Sequence, residues 1–62
     1  MKTKPKDIYL MRHGLRETQA EFALRFGVDQ TTIHRWETVG VPKVGAAAAL
    51  IKRVMAELEA QS

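Results

Sequence analysis

No cysteine occurs among the 62 residues, which excludes a disulfide framework and thiolate metal sites. With those staples absent, a chain that buries only about 60% of its unfolded surface must pack its helices tidily or complete its core with a second subunit. Long apolar runs are lacking too. The longest uncharged stretch, 44–51, is far too short to cross a membrane, and the basic start, 1–6, has no apolar stretch of the signal-peptide kind, so the expected location is the cytoplasm. Two prolines and four glycines leave no long linker. Only Gly27 and the stretch 39–42 punctuate a sequence otherwise rich in helix formers, and no repeat or low-complexity segment extends beyond 46–49. Reaction chemistry is missing as well. There is no Ser/His/Asp grouping, glycine-rich phosphate loop or evident carboxylate pair, so the expectation is a non-enzyme without cofactor, metal or small-molecule ligand.

What is present is globular composition, 45% hydrophobic and 27% charged, enough for a single domain over 1–62. Ten Lys and Arg against seven Asp and Glu give a net charge of +3, a mild bias toward a polyanionic partner. All ten basic groups precede residue 56, whereas Glu57 and Glu59 lie near the C-terminus.

Pro5 suits a first helical position and Asp7 the early backbone donors, and Ile8, Met11 and Leu15 follow a helical stripe, which predicts a first helix over 5–16. Gly14 within it hints at a close neighbour or an early end. Thr18 and Glu21 form the S/T-x-x-E arrangement that opens a helix, whose apolar face is Phe22, Ala23 and Phe26. Gly27 supplies the left-handed residue that ends it, and Asp29 is placed to cap the next helix, over 30–38. So short a connection fixes the crossing of the two helices, as in a helix-turn-helix. Ala23 lets the helices approach, Val28 plugs the turn, and Ile33 and Trp36 face inward. At 100° per residue Thr31 and Arg35 then point outward, flanked by His34 and Thr38, in a stripe without a carboxylate.

The segments Gln19-Ala20-Glu21-Phe22-Ala23, Phe26-Gly27-Val28-Asp29-Gln30-Thr31-Thr32-Ile33 and Arg35-Trp36-Glu37 resemble the phage-repressor and Cro type of helix-turn-helix, the XRE family. The likeness runs without a gap from Arg12 to Glu37 and more weakly into the last helix. It implies an all-α, lambda-repressor-like bundle of four helices with the third in the major groove and the start of the second against a phosphate. By position, Gln30, Thr31, Arg35 and His34 would meet base edges, and Thr18, Gln19, Thr32, Thr38 and Lys43 would hold phosphates. Arg12 and Glu37 match the ion pair that ties the first helix to the third in this family, and Ala23, Gly27, Ile33 and Trp36 the structural positions. Glu17 departs from the pattern, standing where many members carry an apolar residue.

Plainer readings compete at several positions. Trp36 is a core residue before it is a stacking platform. His34 with Glu37 makes only two metal ligands, so a phosphate contact or a surface histidine is preferred; His13 reads as a solvated helix residue. Lys2 and Lys4, within a basic arm over 1–4, together with Lys6 reach around DNA or merely solubilise the chain, and Arg16 and Arg25 face water or phosphate.

The last helix, expected over 44–60, has more apolar positions than one face requires: Val44, Ala47, Ala48, Ile51, Met55 and Leu58 form one stripe, Leu50 and Val54 another. The surplus suggests a homodimer built on Leu50, Ile51, Val54 and Leu58, with Val39 and Val41 beside them. A wide core stripe with Leu50 partly exposed is the simpler alternative. The expected function is a sequence-specific transcriptional regulator that binds double-stranded DNA at a pseudo-palindromic operator and represses by occupying it. The alternative is a protein-interaction module of the same fold, such as an antitoxin or antirepressor.

Overall fold

Four helices and no strand form among residues 3–61, the part of the chain that the computed structural model describes: α1 Pro5–Gly14, α2 Gln19–Phe26, α3 Gln30–Thr38 and α4 Gly45–Gln61. Of the expected basic arm, Met1 and Lys2 lie outside the described residues. At the start of α1 the Lys4 amide donates to Asp7 Oδ2 at 2.9 Å, and Pro5 occupies a position where no amide hydrogen is needed. The helix stops at Gly14, two residues earlier than the sequence predicts. Arg16 turns the chain with φ 58°, a left-handed conformation in a residue with a Cβ, and its amide donates to the His13 carbonyl at 3.0 Å.

The α2 cap forms as its residues demand. Thr18 Oγ1 accepts from the Glu21 amide at 3.1 Å while Glu21 Oε1 accepts from the Thr18 amide at 2.8 Å. Gly27 ends the helix at φ 68°, and the Val28 amide donates to the Ala23 carbonyl at 3.1 Å. Asp29 precedes α3 in extended conformation but makes no side-chain capping bond, contrary to expectation; its carbonyl instead accepts from the Thr32 amide at 3.0 Å. Gly45, at φ 90°, begins α4 one residue after the predicted start, and Val44 is left 83% exposed instead of joining the core stripe.

The core takes Ile8 from α1, Phe22, Ala23 and Phe26 from α2, Ile33 and Trp36 from α3, and Ile51, Met55 and Leu58 from α4. Burying these side chains is the main term holding so small a domain together, at about 1.5 to 3 kcal/mol for each large one before entropy is counted. α2 packs against both α3 and α4, and α3 against both α2 and α1. Phe26 meets Phe22 edge-on at 5.0 Å between centroids and Trp36 at 5.5 Å. Trp36 is therefore a core residue, 5% exposed, and presents no platform to a base. Ile51 and Leu58 are likewise consumed by the chain's own core, which removes them from the expected dimer surface. Leu50 and Val54 are half-buried against the same core. The second apolar stripe of α4 is thus largely covered from within.

Candidate nucleic-acid interface

The capped start of α2, the left-handed Gly27 and the inward Ile33 and Trp36 together fix α3 by its apolar side. What it shows to solvent follows from the helical period. Gln30, Thr31, His34, Arg35 and Thr38 are all exposed, and Thr32 is half-buried. Gln30, Thr31 and Arg35 have no side-chain hydrogen bond or ion pair among the described residues. Their donors and acceptors face solvent and remain open to a ligand.

Arg35 and Arg16 are the two arginines without an acidic partner among the described residues, and of the two only Arg35 lies on α3. Arg12 is bound to Glu37, Arg25 to Glu17 and, more loosely, Arg53 to Glu57. The Glu17–Arg25 pair, with Arg25 Nε to Glu17 Oε1 at 2.8 Å, replaces the expectation that Arg25 faces only water or phosphate. It also accounts for an acid at a corner where an apolar residue was expected: Arg25 hydrogen-bonds the Glu17 carboxylate and draws its pKa below the usual range.

A polar network joins α1, the start of α2 and the end of α3. Arg12 donates from Nε to Glu37 Oε2 at 2.6 Å and from Nη2 to Glu37 Oε1 at 3.0 Å, a fork that matches the carboxylate. Its Nη1 donates to the Glu17 carbonyl at 3.0 Å, so one guanidinium also fastens the corner between α1 and α2. Gln19 Nε2 donates to Glu37 Oε1 at 3.2 Å and lies 3.4 Å from His34 Nδ1. Burial works to raise the Glu37 carboxyl, but the hydrogen bonds from Arg12 and Gln19, with the nearby charges of Arg12 and His13, outweigh it and hold the pKa below the ordinary carboxylate value. The same hydrogen bond, taken from the other side, raises Arg12.

The expected phosphate ligands therefore stand in different states. Gln19 has its amide already engaged by Glu37, so its role in positioning α2 against α3 accompanies any contact it makes outside. Thr18 uses its oxygen as an acceptor in the cap and keeps its hydroxyl hydrogen to give. Thr38 has given its hydroxyl hydrogen to the His34 carbonyl at 2.8 Å, which leaves it less fit to donate to a phosphate. Lys43 is exposed in the loop before α4. Among the described residues no group of His, Asp and Glu is placed to hold a metal ion, and no helix is long and apolar enough to cross a membrane.

Sequence reasoning passed over one feature of this face. The rings of Tyr9 and His13, four apart on α1, lie with centroids 4.0 Å apart and planes tilted by 35°, and the Arg12 guanidinium lies 5.7 Å from the Tyr9 ring centre. The i, i+4 spacing was there to be read, but each residue taken singly looks like ordinary helix surface. Comparison with protein-family models finds no match, and searches of curated proteins and of solved structures find none either.

Proposed function

We propose that this chain binds double-stranded DNA in a sequence-specific manner through α3 and regulates transcription, as a repressor that occupies its operator. On this reading α2, the Gly27 turn and α3 act as a helix-turn-helix of the XRE type. The observation that carries it is Arg35: on a helix rigidly seated by Ile33 and Trp36, it is exposed and uncommitted beside Gln30 and Thr31, with no carboxylate in the stripe. Arg35 offers two parallel donors to a guanine edge, Gln30 a donor and an acceptor to adenine, and Thr31 a methyl to thymine. Thr18, Gln19, Thr32 and Lys43 hold the flanking phosphates, which sets register without reading sequence. A second copy binds the other half-site, and with Ile51 and Leu58 buried it meets on α4 only the part of Leu50 and Val54 that the chain's own core leaves exposed.

Enrichment of bound duplexes from a random-sequence pool, followed by gel shift on the selected site, tests the reading. A recurring motif bound far more tightly than scrambled duplex is expected. Failure to retain any duplex at low salt, where the electrostatic part of binding is strongest, overturns it.

A further inference from the structure

α1 presents a donor-rich flank that the interface on α3 does not use. At about 100° per residue, Lys6 and His13 lie within about 60° of Tyr9 around the helix, whereas Asp7 lies about 160° away and accepts from the Lys4 amide. Tyr9 is 44% exposed, and its hydroxyl has no partner among the described residues. Of the other carboxylates, Glu17 and Glu37 are each matched by an arginine and Glu21 accepts from the Thr18 amide. The flank is also continuous with α3. His13 Nε2 lies 3.4 Å from Arg12 Nη2, Arg12 and Gln19 both donate to Glu37 Oε1, and Gln19 Nε2 lies 3.4 Å from His34.

Arg16 follows the flank in the chain, at the corner between α1 and α2, where its amide donates to the His13 carbonyl at 3.0 Å. It is exposed, without an acidic partner among the described residues, and it holds φ 58°, a conformation glycine takes freely and other residues avoid. A cation kept where a glycine fits better is what a role for its charge accounts for.

We propose that Tyr9, His13 and Arg16 form a second phosphate-binding surface, which grips the backbone of duplex DNA alongside the strand held at the start of α2. This rests on the DNA-binding reading above. A helix seated in the groove leaves its neighbours facing the sugar-phosphate rim, and a face of hydroxyl, imidazole and guanidinium donors without a free acid suits phosphate oxygens.

Arg16→Gly separates the role from folding, because it relieves the backbone and deletes the charge together. Its melting temperature should equal or exceed that of the wild type. Its affinity for the selected duplex should fall about eightfold at 0.1 M salt, and the slope of log affinity against log salt should drop by about 0.9. Tyr9→Phe and His13→Ala should weaken all single-base variants of the site by one common factor. Wild-type affinity and slope in Arg16→Gly overturn the proposal, as does a changed ranking of the variants, which would make these base contacts. If the wild type binds no duplex, the DNA reading itself has failed; binding by the wild type with unaltered variants refutes the α1 surface alone.

Discussion

Arg12 Nε donates to Glu37 Oε2 at 2.6 Å, so the last turn of α1 is locked to the last turn of α3 by an ion pair whose acid side chain is only 4% exposed. The same carboxylate accepts from Gln19 at the start of α2. Three helices thus share one acceptor, and the angle at which α3 is presented depends on it.

The stability of the fold should depend on this carboxylate through pH. Its pKa is lowered in the folded state, so its contribution is fully present above the ordinary carboxyl value of about 4.5 and is lost as the pH falls through the lower folded value. Urea unfolding at pH 7 and pH 3 should show the wild type weakened by acid. Glu37→Gln should cost about 3 kcal/mol at pH 7, where it strands a poorly solvated Arg12, and should lose less on acidification. Equal acid losses in the two proteins would place the sensitive group elsewhere, with Glu17 the next to examine.

A substitution at Gly27 should be costly for conformational reasons alone. An added Cβ meets nothing within 4 Å, yet φ is 68°. Gly27→Ala should therefore destabilise by about 1 kcal/mol and Gly27→Val by about 2, whereas Gly27→Asn, which tolerates the left-handed region, should lose least. Thermal melts that rank the three variants by side-chain size, with Asn worse than Ala, would point to crowding instead.

The parts of the fold legible in the sequence are those fixed by neighbours in the chain. Thr18 with Glu21, Gly27, and the spacing of Ile33 and Trp36 state their structural roles locally, and the chain adopts them. The end of α1 was legible only as a hint: Gly14 pointed to a close neighbour or an early end, and the helix does stop there with open space beside it, but the left-handed turn falls on Arg16, which carries no signal for it. Nor was the Glu17–Arg25 pair, eight residues apart, since it exists only once α2 is seated against that corner. At the candidate site the outward direction of Thr31 and Arg35 followed from the helical period and the place of Gln30 from the family resemblance, but the engagement of the Gln19 amide by Glu37 required the packing of three helices.

Leu58 tests which of two roles the apolar surplus of α4 serves. Because it is 6% exposed within the chain's own core, Leu58→Glu should destabilise the fold by about 3 kcal/mol or more and should not act as a clean dimer mutant. Leu50→Glu, at a half-buried position, should cost less stability and instead lower self-association, measured by sedimentation. A Leu58→Glu protein that melts like the wild type but sediments as a smaller species would return this residue to the dimer seam.

Arg35 and Gln19 are assigned different work, and the network around Glu37 sharpens the contrast. If Arg35 grips a base edge, Arg35→Ala should cost about 1 to 3 kcal/mol on the preferred site, flatten the preference at one base pair of each half-site and leave the melting temperature nearly unchanged. Gln19→Ala should weaken all sequences alike. It should also lower stability by about 1 kcal/mol, since Glu37 loses a hydrogen bond. Because a neutral amide displaces no counterion, the salt slope should stay near wild type in Gln19→Ala. Affinities across single-base variants at several salt concentrations, with melts run on the same samples, distinguish the two. Should Arg35→Ala preserve the ranking of variants while reducing the slope by about 1, Arg35 is a phosphate contact, and sequence reading falls to Gln30 and Thr31.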